Sequence, residues 1–264
     1  MNNPNIPEAF TSVMGLGAQK QYIKGGNRTL NLVLAVLFLG GAALLVLYGV
    51  YEAFNWSSYG SAMVTSKLTG PLVFAGILFL LGAWAAWSTY SNWNKGLMIY
   101  DRGFAYRDRK GIQTWQWINV TSITAAITRH YTNGIYTGTT HVYTLLNNQN
   151  EKIVLNDSFK KVEDVAGIIE NNVYPILYER AAQAYNSGQT LTFGPVAINK
   201  GGIQIGKKNY PWTDVKQVSI NNGFVKVSKK DGGWFSGASA SAAAIPNLKI
   251  MLSIINQVVG VRAG

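Results

Sequence analysis

The chain of 264 residues carries 23 Lys and Arg against 12 Asp and Glu, a net charge of +11, with two His and no Cys. Lack of cysteine excludes disulfides, Cys-ligated zinc, iron–sulfur clusters and a thiol nucleophile. A mean hydropathy of +0.07 averages two unlike parts, an apolar first third and a polar remainder.

Residues 1–28 are polar and break at Gly25–Gly26. The opening MNNPNIPEAF has no basic lead, and the first apolar run starts too late and runs too long for a secretory signal, so an uncleaved anchor is expected. Phe10, Val13, Met14 and Leu16 faintly outline a short surface helix, with disorder as the competing reading. Two long apolar runs follow, Thr29–Tyr51 and Leu72–Tyr90, joined by a polar loop from Glu52 to Pro71. At about 1.5 Å per residue each run can cross a hydrocarbon core of about 30 Å. Lys20, Lys24 and Arg28 precede the first run, and Lys95, Arg102, Arg107, Arg109 and Lys110 follow the second, whereas the loop holds only Glu52 and Lys67. The excess of Lys and Arg at the flanks assigns both termini to the cytoplasm and the loop to the outside. Aromatic residues sit where interfaces should fall, Tyr48, Tyr51 and Trp56 at one end and Trp84, Trp87, Tyr90 and Trp93 at the other. Within the spans Ala35, Gly40, Gly41, Ala42 and Ala43 face the prospect of close approach to Ala75, Gly76, Gly82 and Ala83. Packing of the hairpin on itself is the main reading, and contact with another membrane subunit the alternative. Neither interior holds an acid, a base or a Pro, which argues against transport.

Beyond Lys95 the period changes from helix to strand. Strands are expected at Leu97–Tyr100, Phe104–Arg107, Ile112–Trp117, Val120–Ile127, His141–Leu146 and Lys152–Leu155, with YTNGIYTG (131–138) as a bend. A helix over Lys161–Ala184 follows, kinked or divided at Pro175. After a polar link at 186–189 a shorter pass repeats the plan: strands at Thr190–Phe193, Val196–Asn199, Ile203–Ile205, Tyr210–Trp212, Val215–Ile220 and Phe224–Ser228. The Gly- and Ser-rich stretch Asp231–Ala243 reads as loop, and Ala244–Val259 as a closing amphipathic helix. Trp117-Ile118-Asn119-Val120 and Trp212-Thr213-Asp214-Val215 share W-x-[N/D]-V after a Gly-led hairpin, so the passes read as a tandem duplication, with Trp117, Val120, Trp212 and Val215 as its structural anchors. Each Trp reads as a core anchor rather than a stacking platform. The fold class is α+β. The divisions are a polar segment 1–28, a transmembrane hairpin 29–94, a first module 95–187 and a shorter second module 188–264.

The hairpin, the G-[FI]…W-x-[ND]-V segments and the two closing helices resemble bacterial pleckstrin-homology-like (PH-like) membrane proteins. The pattern FGP…W-x-D-V…IPN in the second pass resembles an uncharacterised family of that kind. The resemblance spans about Leu97 to Val259, with the hairpin alike in arrangement only. It implies a bent antiparallel sheet capped by a C-terminal helix in each module, a bacterial inner-membrane address and no particular reaction.

No nucleophile–base pair stands out, and neither a catalytic nor a metal site is assigned; no cofactor is expected. His130 and His141 flank the 131–138 bend with no acid near in sequence, and Asp101 and Asp108 read as turn residues. The positional candidates for contact with lipid or a partner are the basic turns: Arg107, Arg109 and Lys110; Lys207 and Lys208; Lys229 and Lys230. The plain reading is an ordinary solvated turn. The functional reading is attraction to anionic headgroups, about 1 kcal/mol per basic residue near the surface. Nucleic acid is disfavoured, because the cations lie in turns while Trp115, Trp117 and Trp212 should be buried. The expected function is a non-catalytic membrane-anchored scaffold that meets a protein partner, another copy of itself or anionic lipid at the cytoplasmic face. The alternative is an accessory subunit of a larger membrane complex, held through its spans. A polar cleft gathering Asp101, His130 or His141 would revive an enzyme.

Overall fold

The computed structural model describes residues 7–11, 13–26, 28–230 and 237–263. The opening 1–6 and residues 231–236 of the expected Gly-rich loop lie outside the described residues. The chain divides into two compact units, residues 24–97 with 106–112, and residues 1–23, 98–105 and 113–264.

The first of these holds a helical hairpin, α2 (Arg28–Asn55) and α3 (Ser61–Asn92), both long and apolar enough to cross a membrane. Only 11% and 17% of their most apolar windows are buried, so most of each apolar surface is left uncovered by the chain itself. The expected loop Glu52–Pro71 shrinks to a turn around a 3-10 segment, Ser57–Tyr59, because helix α3 starts at Ser61 and runs through Lys67 and Pro71. Thr65 and Thr69 hydroxyls donate to the carbonyls of Ser61 and Thr65 at 3.0 and 2.7 Å, so these polar residues satisfy themselves within the helix. At that turn Glu52 accepts the Trp56 indole N–H at 3.0 Å and Lys67 sits 5.0 Å over the same ring. Small residues make the seam: a Cβ on Gly82 would meet Leu39 at 2.7 Å and one on Gly41 would meet Leu78 at 3.3 Å, while Gly40 and Gly76 face open space. Asn31 donates to Ser88 Oγ across the helices at 3.2 Å, and the Gly25 N–H closes the feet on the Lys95 carbonyl at 3.0 Å.

Among the described residues the strands form four sheets. The first orders β1 (Gln19–Lys24), β2 (Gly96–Tyr100), β3 (Gly103–Asp108) and β4 (Gly111–Gln116) side by side. Strand β1 was not legible in the polar lead-in, and it changes the plan: in chain order the hairpin is inserted between two neighbouring strands of one sheet. The lead-in is folded too. After a single helical turn, α1 (Glu8–Thr11), Phe10 and Leu16 are buried with Met98, Tyr100 and Ala105, whereas Met14 is exposed. The Tyr100 hydroxyl donates to the Phe10 carbonyl at 2.6 Å, and Asp101 binds Lys20 at 2.9 Å and the Ala18 N–H at 3.1 Å.

A second sheet joins β5 (Val120–Thr132), β6 (Ile135–Asn147) and β7 (Lys152–Asn156), and α4 (Val162–Asn186) follows unbroken through Pro175. Buried Val173 and Leu177 on either side of the proline hold both halves of α4 in the core. The expected 131–138 bend is a two-residue turn at Asn133–Gly134, with φ of 51° and 80°, so the two strands run on almost to the tip.

The later pass repeats this order: β8 (Leu191–Phe193), β9 (Val196–Asn199), β10 (Gly202–Ile205) and β11 (Lys208–Pro211) form one meander. Then β12 (Val215–Asn221), β13 (Phe224–Lys229) and β14 (Ala238–Ser241) form another, the last inside the stretch expected to be loop. The closing helix is shorter than its periodicity suggests: a 3-10 turn at Ala242–Ala244, then α5 (Leu248–Val258), then β15 (Val261–Ala263) parallel to β12. The two passes also repeat their bonds. Trp117 Nε1 donates to the Asp101 carbonyl at 3.1 Å and Trp212 Nε1 to that of Asn199 at 2.8 Å. Both ladders slip one residue after the anchor valine, between Val120 and Ser122 and between Val215 and Gln217. Trp117, Val120 and Val215 are buried, and Trp212 is half-buried. The helices α4 and α5 are joined by a ladder one turn apart at each step: Lys249–Glu170 at 2.5 Å, Tyr174–Ser253 at 2.7 Å and Gln257–Tyr178 at 2.7 Å. The protein is thus a mixed α+β chain, with an apolar helical hairpin near its start and antiparallel meanders after it.

Candidate interaction site at the β3–β4 turn

The turn from β3 to β4 is set by Asp108, whose Oδ1 accepts the Lys110 N–H at 2.8 Å, and it closes through Gly111 at a φ of 128°. Around that one acid stand three cations, Arg107, Arg109 and Lys110. The Arg109 guanidinium lies over the rings of Trp87 and Tyr90, 5.2 and 5.0 Å from their centroids. These rings are neighbours near the end of α3, 6.2 Å apart. Each such contact at an exposed site is worth about 0.5–1 kcal/mol. The geometry brings the central charge of the turn to the aromatic residues that the sequence assigns to an interface.

Asp108 serves its surroundings as well. Burial pulls the Lys95 ammonium below its ordinary range, and the Asp108 carboxylate draws it partly back. Burial, reinforced by the same carboxylate, pushes the Tyr106 phenol up to about 12. Among the described residues none of Arg107, Arg109 and Lys110 forms an ion pair, so their charge is available to an external anion. Arg107 is half-buried, and Arg109 and Lys110 are exposed.

The other basic turns are placed differently. Lys207 and Lys208 are exposed at the β10–β11 turn, beside Gly206 at a φ of 57°. Lys229 folds over the Tyr210 ring at 5.6 Å, so it bridges from β13 to the neighbouring meander at β11, and Lys230 is exposed with its N–H on the Asp214 carbonyl at 2.9 Å. Asp101, His130 and His141 do not share a cleft. Asp101 is held by Lys20 and the Ala18 N–H, which keep its carboxyl below the usual range. His130 is exposed and paired to Thr140 Oγ1 at 2.7 Å. His141, expected to lack a nearby acid, has two: its Nδ1 meets Asp157 at 3.0 Å and its Nε2 meets Glu163 at 2.5 Å. Both ring nitrogens are therefore taken by opposed carboxylates, which ties β6 to the start of α4 rather than presenting a metal or a base to solvent. Among the described residues no cluster of three His, Cys, Asp or Glu fits a metal ion.

Sequence reasoning missed Asn247. In Ile245-Pro246-Asn247 it takes a φ of 52° ahead of α5; its Oδ1 accepts the Ile123 N–H at 2.9 Å and its Nδ2 donates to the Thr121 carbonyl at 2.9 Å. The IPN pattern marks the residue, but nothing local in the sequence names β5 as the strand it reaches.

A mixed α+β architecture with two apolar helices and a cationic turn against their aromatic end defines the class to which the chain conforms. The chain belongs to the family of unknown function DUF6585, which it matches over residues 1–263. No curated protein matches it.

Proposed function

We propose that the chain is a non-catalytic binding protein of the bacterial cytoplasmic membrane, anchored by α2 and α3 and carrying two PH-like modules on the cytoplasmic side, where the β3–β4 turn meets anionic lipid headgroups. The observation that carries this reading is Arg109 laid over Trp87 and Tyr90, a cation fixed at an aromatic belt with Arg107 and Lys110 beside it. The repeated order of a four-strand meander, a three-strand meander and a helix supports the PH-like assignment. Pairing of β1 with β2 requires both feet of the hairpin on one side, which supports an even number of crossings. The clamp of His141 between two carboxylates favours a structural over a catalytic role for that residue.

The test uses the full-length protein in mixed detergent micelles with equal amounts of phosphatidylglycerol and phosphatidylcholine, and counts retained lipids by native mass spectrometry. Enrichment of the anionic lipid at low salt is expected, falling with added salt and by about fivefold for each charge removed in R107Q, R109Q and K110Q, in line with about 1 kcal/mol per cation. Equal retention of the two lipids, or indifference to salt, would overturn it.

A second reading has its own observation. An open groove of about 460 Å³ runs between the two helices, lined by Leu39, Ala42, Ala75, Gly76 and Phe79. A further transmembrane segment seated there would make the chain an accessory subunit. A pulldown in which the hairpin alone retains the same partner as the full chain favours this reading.

A further inference from the structure

The first pass has an edge that its own chain covers only in part. Ribbon β5–β6 extends well beyond its counterpart β12–β13, and β7 pairs with β6 only from Val142 to Leu146. On the outer edge of β5 the Ile123 N–H donates to Asn247 Oδ1 at 2.9 Å, and the Ile123 carbonyl accepts the Asn247 N–H at 2.8 Å. Both backbone groups of Ile123 thus point away from β6. In an antiparallel ladder that direction recurs at every second residue, so Ala125, Ile127 and Arg129 turn their N–H and C=O groups to the same side. Among the described residues no strand or side chain pairs with them there. Natural edges are usually blunted by Lys, Pro, a bulge or a cover. Residues 124–128, Thr-Ala-Ala-Ile-Thr, have no Lys, Pro or bulge; the 3-10 turn Ala242–Ala244 packs beside β5 but leaves Ile127 56% exposed.

Beside that edge lies a cleft. Side chains of Ile123, Ala125 and Ile127 line it together with Tyr143 of β6 and Ala166 and Leu177 of α4, around a volume of about 230 Å³. A cavity of about 150 Å³ holds benzene, so this one has room for one large aliphatic or aromatic side chain. The ribbon carries no Asp or Glu between Asp108 and Glu151, the carboxylate that lines the cleft, Glu170, is paired with Lys249, and Arg129 stands on the edge, so an acidic residue of the occupant is placed at Arg129.

We propose that the edge of β5 binds an extended peptide segment of a protein partner, paired strand to strand with Ala125, Ile127 and Arg129, with one apolar side chain in the cleft and an acidic residue near Arg129. An added strand gains affinity from main-chain bonds and selectivity from a pocket that takes alternate side chains, and both elements are present here. The interface continues one already made in the chain, because the side-chain amide of Asn247 occupies the first rung as a peptide group would. The proposal rests on the reading of this chain as a binding protein, but on residues separate from the β3–β4 turn.

The experiment selects a phage-displayed library of random twelve-residue peptides on the full-length protein in detergent micelles, then measures synthetic versions of the enriched peptides. Enriched sequences are expected to alternate apolar residues and to carry an acid. Binding should weaken at least tenfold in Ala125→Pro, which deletes an outward N–H at an edge that tolerates proline, and in Ile127→Lys, which charges an exposed position. The second variant keeps the test decisive if the first fails to fold. No enrichment, enrichment without alternation, or binding unchanged in both variants overturns the proposal. A dimer in sedimentation that Ala125→Pro dissolves would assign the edge to a second copy and also overturn it. Lipid retention is read on the same preparations, so failure of peptide capture alone and failure of lipid selectivity alone are told apart.

Discussion

A Cβ on Gly103 would stand 2.1 Å from the Trp115 carbonyl oxygen, and one on Gly202 would stand 2.3 Å from that of Tyr210. In both cases the obstacle is backbone, which cannot turn aside as a side chain can. Gly103→Ala and Gly202→Ala should each cost about 2–3 kcal/mol, read as a lowered thermal midpoint. Gly111→Ala, in open space but at a φ of 128°, should cost about 1 kcal/mol. The sequence made these glycines visible as leaders of the two hairpins; it did not show that they are there to let a carbonyl approach. Tyr106 supplies a pH dependence. Its phenol is raised to about 12, so the stability it confers is whole below the ordinary tyrosine value of about 10 and is lost as pH climbs from there through about 12. Tyr106→Phe should flatten alkaline unfolding in that window, and an unchanged alkaline limb would show the phenol to be no more buried when folded than when unfolded.

At the scale of elements, the hairpin offers a clean experiment because the chain has no native cysteine. With Ser58→Cys in the α2–α3 turn, a membrane-impermeant maleimide should label intact cells. With Lys110→Cys, labelling should require lysis. The reverse pattern would invert the topology, and equal labelling of both without lysis would remove the hairpin from the membrane. The apolar runs were legible because hydropathy adds up along a window. The early start of α3 was not, because Thr65 and Thr69 satisfy their own hydroxyls and make a polar stretch helical. Pro175 does not divide α4, because packing of the turns around it outweighs one absent N–H. The β5–β6 ribbon was underestimated because Asn133-Gly134 makes a two-residue turn inside a stretch whose composition reads as a longer bend.

For the whole molecule, the repeat was readable from four residues, Trp-x-[Asn/Asp]-Val, because each copy makes the same bonds and the same bulge. What joins the copies was not. The ladder from Glu170, Tyr174 and Tyr178 to Lys249, Ser253 and Gln257, and the reach of Asn247 to β5, connect residues far apart in sequence whose types are ordinary on any helix surface or turn. The cationic turn was found from charge alone, but its partner rings on α3 could be named only from the fold. The strand β1 escaped for the simplest reason: Gln19-Lys20-Gln21 carries no apolar alternation, being exposed on an edge.

Insertion of the hairpin between β1 and β2 has a consequence for biosynthesis. The ribosome releases β1 first, then two helices long and apolar enough to cross a membrane, and only afterwards the strand with which β1 pairs. If the hairpin spans a membrane as proposed, the first sheet cannot close until both hairpin feet lie on one side, so a chain whose hairpin is threaded only once would be left with an unpaired strand, and with Phe10 and Leu16 exposed. Those are the features that cellular proteases and chaperones recognise. The fold of the first module would then serve as a checkpoint on membrane insertion, and mis-threaded copies would be short-lived.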